Sequence, residues 1–264
     1  SKVTGKTKVI IPVHLFGLCA DMDAIKAVIP KKVKILEDAA CAAGAKYKGK
    51  YAGTLGDAAV FSFHPRKSIT TGEGGMITTQ NNLFSELMDQ MRSHGATISE
   101  EQRHHGPKPY ILPDFNLLGF NYRMTDLQGS IGIVQLEKLD SFIDERSKWA
   151  TWYREKLSDI DWLKLPQEPE NGKHGWQSFV TYVDPKTAPM SRNNIMEKLQ
   201  NMGISTRPGT HAVHMLSIYK DKFGIKQNDY PGARDCDANT MAIPLHNQMI
   251  REDYEYIVNA LKSF

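Results

Sequence analysis

The chain has 264 residues, of which 33 are Lys or Arg and 30 are Asp or Glu, so its formal net charge is +3. Its 41% hydrophobic and 24% charged residues are typical of a globular protein and exclude disorder as the main state. Lys and Arg are scattered rather than gathered in a basic stripe, so we expect no nucleic-acid partner. No apolar run approaches the roughly 20 residues that span a bilayer, so we expect no membrane segment.

The three cysteines, Cys19, Cys41 and Cys236, are too few and too far apart for a disulfide framework. No CxxC pair is present, which argues against a structural zinc site. The adjacent His104 and His105 stand in a Gly/Pro-rich stretch, where neighbouring histidines rarely converge on one ion, so we predict no metal. Free thiols are typical of a reducing compartment, and we expect a cytoplasmic protein.

In the first half of the chain, short apolar runs alternate with helical patterns. Such alternation predicts βαβ units and a mainly parallel sheet, with polar groups at the carboxyl ends of its strands. The predicted strands cover residues 9–15, 33–36, 58–63 and 75–79, and the predicted helices cover residues 21–28 and 83–93.

Residues 95–120 lose helical periodicity and predict a long loop. A helical pattern resumes near Thr125 with an apolar stripe and continues, after a break, through residues 149–157. The last hundred residues predict a smaller α+β unit with strands at 179–183 and 204–207 and helices at 191–202, 235–241 and 251–262. We therefore predict two domains, residues 1–145 and 146–264.

The most informative stretch for chemistry runs from residue 61 to 76. Ser62 and His64 end a predicted strand, Lys67 follows, and a Thr/Gly-rich turn comes next. A lysine in such a place forms a Schiff base with a carbonyl if its surroundings deprotonate the amine. Ser62 can offer a hydroxyl to an anion. The alternative is a surface loop with a solvated lysine.

A second stretch, residues 37–45, places Asp38 at the carboxyl end of an apolar strand and follows it with small residues. A carboxylate opposite a heterocyclic nitrogen keeps that nitrogen protonated, which matters for pyridoxal phosphate because its protonated ring is the electron sink. Asp38 could equally cap a following helix, and the small residues could simply serve tight packing.

Together these stretches resemble the DegT/DnrJ/EryC1/StrS family of sugar aminotransferases. The resemblance covers essentially the whole chain in order, and the combination is far more specific than any one piece. It implies an α/β fold of the aspartate-aminotransferase type, with part of a large, mainly parallel-sheet cofactor-binding domain and a smaller α+β C-terminal domain. The matching motifs are His14-Leu-Phe-Gly17, residues 37–45, Gly53-Thr-Leu-Gly-Asp57, residues 61–67, residues 71–75, residues 119–126 with Gln128, and residues 203–208.

The resemblance implies a role for five residues. Lys67 matches the lysine that holds pyridoxal phosphate and then moves the proton during the reaction. Asp38 matches the partner of the pyridinium nitrogen, and Ser62 matches a phosphate ligand. Cys41 stands where the family often has Gln or His beside the cofactor, and because a thiol bonds weakly, packing remains open. Asn121 matches an asparagine that reaches the neighbouring subunit's site, which implies a homodimer with shared sites.

Further candidates lie near the substrate. His64 matches a position close to cofactor and substrate, without an assigned protonation role. Arg207, His211 and His214 would line the sugar-nucleotide or donor-carboxylate side, although an ordinary hydrogen-bonded loop is an equal alternative. Tyr122 is a substrate-side candidate that could also serve dimer packing.

The implied reaction transfers the amino group of L-glutamate to a nucleotide-linked keto-sugar, a 4-keto-6-deoxyhexose by analogy, for amino-sugar and polysaccharide synthesis. Two alternatives are a 3-keto-sugar aminotransferase and a non-catalytic regulatory or binding protein. Family members begin with a phosphate-binding turn and a ring-stacking aromatic residue that have no counterpart before Val9. We therefore expect this chain to be the C-terminal portion of a longer enzyme, weakly active or inactive alone.

Overall fold

The computed structural model describes residues 2–108 and 110–264 and divides into two compact units. Unit 1 comprises the residues up to Leu15 together with Cys19–Leu139, and unit 2 comprises Phe16–Leu18 together with Asp140–Phe264. Among the described residues, no helix is both long and apolar enough to cross a membrane.

Unit 1 is built on a four-stranded sheet in the order β1-β2-β5-β6. β1 pairs in parallel with β2, β2 pairs in parallel with β5, and β6 is antiparallel to β5. This arrangement confirms the predicted α/β class. The elements in chain order are β1 (Val9–Ile10), α1 (Met22–Val28), β2 (Lys34–Asp38), β3 (Lys46–Tyr47), β4 (Lys50–Tyr51), β5 (Ala58–Ser62), β6 (Gly75–Thr79), α2 (Asn82–Arg92), α3 (Glu100–His105) and α4 (Asp126–Glu137).

Two predictions for unit 1 are corrected by the structure. The predicted strand 9–15 is shorter, since Pro12 lacks an N–H donor and the chain then turns at Phe16, whose φ is 59°. The predicted loop 95–120 contains the short helix α3, because Ser99 and Gln102 form a reciprocal capping box at its start.

The core of unit 1 is small and lies beside β2. It consists of eight buried residues, half of them alanine: Cys19, Met22, Ile35, Ala39, Ala42, Ala45, Ala52 and Leu55. By contrast, α2 and α4 contain no buried residue. The predicted apolar stripe of α4 is largely exposed, with Leu127 at 79% and Ile131 at 50% of their full accessibility. Unit 1 therefore presents broad apolar helix faces to its surroundings.

Unit 2 packs helices on an antiparallel sheet in the order β10-β11-β9-β7. The predicted strand 179–183 and the predicted terminal helix 251–262 are confirmed at both ends. The elements are α5 (Leu139–Lys156), β7 (Leu163–Lys164), β8 (Gly172–Lys173), β9 (Phe179–Val183), α6 (Arg192–Asn201), β10 (Arg207–Pro208), α7 (Ser217–Phe223), α8 (Pro231–Asn239), β11 (Thr240–Ile243) and α9 (Arg251–Lys262).

Two boundaries in unit 2 differ from the sequence expectation. Of the predicted strand 204–207 only Arg207 belongs to β10, because Ile204 donates its N–H to the Leu199 carbonyl and so closes α6. The predicted helix 235–241 ends at Asn239, since Thr240 and the residues after it pair with β9. A large aromatic core lies between sheet and helices and includes Tyr153, Trp176 and Tyr254.

Candidate functional site

The candidate site begins where two parallel strands end together. Asp38 is the last residue of β2 and is opposite Val60 of β5, two residues before Ser62 ends that strand. The Ala39 N–H donates to the Val60 carbonyl at 3.0 Å, so the two strand ends stay joined. Ligands of open α/β sheets bind at this carboxyl edge, where Asp38 and Ser62 are neighbours.

Lys67 lies in the loop that connects β5 to β6. The Phe63 N–H donates to the Gly74 carbonyl at 2.8 Å, and the Thr71 N–H donates to the Phe63 carbonyl at 3.1 Å, which closes the loop at its base. Lys67 is half-buried, and its Nζ lies 3.1 Å from the Cys41 Sγ. The amine is therefore held beside the segment that follows Asp38.

Helix α4 supports this loop from one side. The Gln135 Oε1 accepts from the Thr70 N–H at 3.2 Å, and the Gln128 Nε2 donates to the Glu73 carbonyl at 3.0 Å. The helix itself is capped by Thr125 and Gln128, which bond each other's backbone N–H groups. The loop is thus anchored to α4 at two points that follow Lys67 in the chain.

The backbone of Asp38 is fixed within the sheet, while its side chain is half-buried. Its N–H donates to the Pro12 carbonyl and its carbonyl accepts from the His14 N–H, each at 2.9 Å. One carboxylate oxygen accepts from the Ala40 N–H at 3.1 Å. This anchored carboxylate can pair with a cationic heterocycle at the strand end.

The neighbouring Glu37 is fully buried and accepts four hydrogen bonds. Its Oε2 accepts from the Gly53 N–H at 2.8 Å and faces the His14 Nε2 at 2.8 Å, and its Oε1 accepts from the N–H groups of Leu55 and Gly56, both at 2.6 Å. Burial opposes ionisation, but the bonds from His14 and the loop outweigh it and hold the pKa of Glu37 below its ordinary value. Glu37 is therefore a buried carboxylate with a complete set of donors.

Ser62 and His64 stand next to each other at the start of the lysine loop. The Ser62 Oγ accepts from the His64 N–H at 3.3 Å, and the His64 Nδ1 accepts from the Arg66 N–H at 3.1 Å. The His64 Nε2 lies 3.9 Å from a Glu73 carboxylate oxygen, and both of these side chains are well exposed. The Ser62 hydroxyl can still donate to an anion.

Asn121 and Tyr122 lie on the segment that follows α2 and α3. Asn121 bridges to Ser93, and the Tyr122 N–H donates to the Arg92 carbonyl at 2.8 Å. Both side chains are exposed, and the Tyr122 ring stacks on Phe120 with centroids 4.9 Å apart. These contacts fix them to the end of α2, with their side chains open to a further partner.

The remaining predicted substrate residues lie in unit 2. Arg207 is exposed on β10 and donates to the Thr206 carbonyl at 3.1 Å. His211 is exposed, with its Nδ1 4.0 Å from the Asp237 carboxylate. His214 is buried, packs its ring against Tyr230, and has its Nε2 3.3 Å from the Gln227 carbonyl. Arg207 and His211 are open to a ligand, whereas His214 already has protein partners.

Metal ligation has no candidate in the part of the chain that the structure describes, where no three His, Cys, Asp or Glu residues form a suitable group. His14 and Glu37 were not predicted as functional residues, although both stand in the matched sequence motifs. Their signal was a titratable residue inside an apolar strand context, since a buried charge requires a partner.

The family comparison matches nearly the whole chain. The model described as "DegT/DnrJ/EryC1/StrS aminotransferase family" matches residues 1–262. A GDP-perosamine synthase from Caulobacter vibrioides is 34% identical over 98% of this chain and 66% of its own length. The spore coat polysaccharide biosynthesis protein SpsC from Bacillus subtilis is 32% identical over 98% of this chain and 67% of its own length.

Solved structures give the same picture at the level of the fold. Spr1654 from Streptococcus pneumoniae, described as a sugar aminotransferase and solved in its PMP form, superposes with a TM-score of 0.89. It is 27% identical, and the match covers 99% of this chain and 70% of that structure. The chain therefore spans about two thirds of the length of these relatives.

Proposed function

Because the chain belongs to the DegT/DnrJ/EryC1/StrS aminotransferase family, we propose that its protein is a pyridoxal-phosphate-dependent sugar aminotransferase. The observation that carries the proposal is the Lys67 amine held 3.1 Å from Cys41, beside the carboxyl ends of β2 and β5. The relative solved in its PMP form supports the choice of cofactor.

The donor set at the strand ends fits this cofactor. Lys67 offers an amine to the aldehyde, Asp38 offers a carboxylate to the ring nitrogen, and Ser62 offers a hydroxyl to the phosphate. Cys41 and His64 border the same loop and complete the proposed cofactor contacts. When bound, pyridoxal phosphate carries the amino group between substrates and accepts electron density into its protonated ring.

The chain's own residues then divide the work. Lys67 Nζ takes and returns the proton at the reacting carbon, as a positioned general acid and base. The Asp38 carboxylate would lie opposite the ring nitrogen and hold the proton there, since its backbone is fixed on both sides by Pro12 and His14. The support from α4 limits the movement of Lys67 between the two half-reactions.

The proposed substrates are L-glutamate and a nucleotide-linked keto-sugar. The name of the Caulobacter relative, GDP-perosamine synthase, supports an amino-sugar nucleotide as product. We propose a 4-keto-6-deoxyhexose as acceptor, with a 3-keto-sugar as the competing choice. Arg207 and His211 would contact the charged parts of these substrates, and His214 would support Arg207 and His211 from the protein interior. Tyr122 would offer its exposed ring to a sugar or base.

We also propose a homodimer whose subunits share their sites. Asn121 is exposed, as a residue that reaches into a partner's site must be. The apolar faces of α2 and α4 have no buried residue and so offer surface for association. The free thiols of Cys19, Cys41 and Cys236 favour a reducing, cytoplasmic location.

Lysine 67 provides the direct test. Borohydride reduction of the complete natural protein loaded with pyridoxal phosphate should attach the cofactor to the peptide that contains Lys67. Lys67→Ala should lose this label and the visible absorption band. It should also lower the rate of turnover of L-glutamate to 2-oxoglutarate by about 10²–10⁴-fold or more. Lys50→Ala, an exposed lysine on β4, should change none of these. A label on another lysine, or no cofactor binding, would overturn the proposal and favour a binding or regulatory protein.

A further inference from the structure

Two sequence motifs that the proposed catalytic residues leave unexplained converge on Glu37. His14 opens the motif that ends at Gly17, and Gly53, Leu55 and Gly56 belong to the motif that ends at Asp57. All four residues bond the Glu37 carboxylate, three through backbone N–H groups and one through an imidazole. Glu37 is thus the centre at which both motifs meet β2.

Because one face of β2 is buried, the side chains of its other face have a fixed direction. Ile35 and Glu37 are buried on one face, while the side chains at Leu36 and Asp38 point to the other, because successive strand residues alternate. A shift of one residue in the pairing of β2 would move Asp38 to the buried face. Four hydrogen bonds on Glu37 oppose that shift immediately before Asp38.

His14 contacts two consecutive residues of β2. Its Nε2 faces the Glu37 Oε2 at 2.8 Å, and its backbone N–H donates to the Asp38 carbonyl at 2.9 Å. The Nδ1 of its fully buried ring accepts from the Ala20 N–H at 3.1 Å. Because Nδ1 accepts, Nε2 carries the proton, and the neutral tautomer satisfies both contacts.

The loop around Glu37 can lie this close to β2 and β5 only because it contains glycines. A Cβ on Gly56 would lie 2.7 Å from the Ile35 carbonyl oxygen. Gly53 has a φ of +92°, and a Cβ there would lie 2.5 Å from the Phe61 ring. This close approach brings the N–H groups of the loop within reach of a carboxylate in the strand.

We propose that His14 and Glu37 are positioning residues that fix the direction of the Asp38 carboxylate toward the ring nitrogen of the cofactor. The inference rests on the proposed function, because it assumes that Asp38 meets that nitrogen. Neither residue touches the cofactor. They act by holding β2 and its preceding segment in one register on the opposite face of the sheet.

The test is ¹⁵N NMR of the complete natural protein loaded with pyridoxal phosphate labelled at the ring nitrogen. The wild-type protein should show a protonated nitrogen. Asp38→Asn should show an unprotonated one, because the carboxylate is removed. Glu37→Gln should shift the signal toward the unprotonated position, since an amide NH₂ would face N–H donors and release β2.

Asp57→Asn is the matched control. Asp57 also anchors β2, through the Ile35 N–H at 2.9 Å and the Lys34 Nζ at 2.8 Å, but at the opposite end of the strand from Asp38. It should weaken the fold without moving the ring-nitrogen signal.

Kinetic measurements should agree with the NMR result. Glu37→Gln should lower kcat by up to about a hundredfold with KM little changed, as a small misplacement of a catalytic group does.

Variants of His14 separate positioning from general stability. His14→Gln keeps an N–H donor for Glu37 and should preserve most of the protonated ring-nitrogen signal. His14→Leu removes that donor and should shift the signal as Glu37→Gln does. A signal that stays at the wild-type position in both Glu37→Gln and His14→Leu would overturn the inference.

One outcome for Asp38→Asn and one measurement on His14 distinguish the remaining possibilities. If Asp38→Asn leaves the ring nitrogen protonated, the proposed function of Asp38 fails, whereas a shift in Asp38→Asn alone defeats only the positioning inference. If the Glu37 and His14 variants do not fold, ¹⁵N NMR of the wild-type imidazoles decides. A neutral His14 with its proton on Nε2 supports the network, and any other form of the ring overturns it.

Discussion

At the scale of single residues, Arg192 is a buried cation that stabilises unit 2. Its Nη2 donates to the Asp237 carbonyl in the last turn of α8 at 2.9 Å, and its Nη1 donates to the Thr240 carbonyl at the start of β11 at 2.7 Å. The Asp237 carbonyl lies in the last turn of α8, where no further residue of the helix bonds it. We expect Arg192→Leu to lower the free energy of unfolding by about 1–3 kcal/mol, measured by urea denaturation.

The comparison for this prediction is Arg251→Leu. Arg251 pairs with Glu255 one turn along α9, but both side chains are exposed to solvent. Its removal should change the urea midpoint far less than removal of Arg192. Equal effects of the two substitutions would show that the bonds to the Asp237 and Thr240 carbonyls contribute little.

His174 should give unit 2 a pH-dependent stability. Burial lowers its pKa from 6.5 to about 4, and its Nδ1 accepts from the Trp176 N–H at 2.8 Å, as a neutral ring can. Below pH 6.5 the unfolded chain binds a proton that the folded one does not, so stability falls with pH until about pH 4. The loss from this residue should reach about 3 kcal/mol at most.

The measurement is urea unfolding between pH 7 and 4 for the wild-type protein and His174→Gln. The substitution should flatten the curve most clearly between pH 6.5 and 5, above the range in which carboxylates titrate. An unchanged slope in that interval would contradict a buried, neutral His174.

At the scale of elements, the loop between β4 and β5 depends on the space that a glycine leaves. Gly53 and Gly49 both have positive φ, +92° and +79°, but only Gly53 is close to another side chain. Gly49→Ala should cost about 1 kcal/mol for its backbone conformation. Gly53→Ala should cost roughly 1–3 kcal/mol more, because its Cβ meets the Phe61 ring.

Thermal unfolding of the two glycine variants isolates the steric part, since the backbone part is shared. We expect a clearly larger drop in Tm for Gly53→Ala than for Gly49→Ala. A similar drop for both would mean that the Phe61 ring moves aside freely. In that case the loop would not be held closely against the sheet.

At the scale of the whole molecule, the sequence predicted those features that depend on residues close together in the chain. The helix of residues 251–262 was predictable because Tyr254, Ile257 and Leu261 repeat on one face and are buried. The site motifs around Lys67 and Asp38 could be recognised as a combination, and the β2–β5 pairing brings their segments together. The roles of the individual site residues stay predictions.

The features that the sequence did not predict depend on contacts between segments that are far apart in the chain. Residues 240–241 follow a helical pattern but belong to β11, because β9 offers them backbone partners. The Glu37 network was also hidden, since its donors are backbone N–H groups of a loop 16 to 19 residues away. The exposed stripe of α4 shows that apolar periodicity predicts a helix without telling which surface covers it.

The two units differ sharply in the cores they build. Unit 2 has a contiguous cluster of 19 buried residues, among them Tyr153, Trp176, Phe179 and Tyr254, and every member lies between residues 150 and 261. Unit 1 has a cluster of only eight buried residues, mostly small. Because burial of apolar area is the main driving force of folding, unit 2 holds most of what it needs within its own segment.

We therefore expect a fragment of residues 140–264 to fold alone, whereas a fragment of residues 1–139 should not. All four tryptophans, at positions 149, 152, 162 and 176, lie in the first fragment, so their fluorescence reports on it directly. It should unfold in urea in one cooperative transition, and Trp176→Ala should abolish that transition or weaken it by several kcal/mol, about 3–5. Tyr256→Ala, at an exposed ring of α9, is the control and should leave it cooperative. A gradual, non-cooperative loss of fluorescence would show that the aromatic core needs the rest of the chain to form.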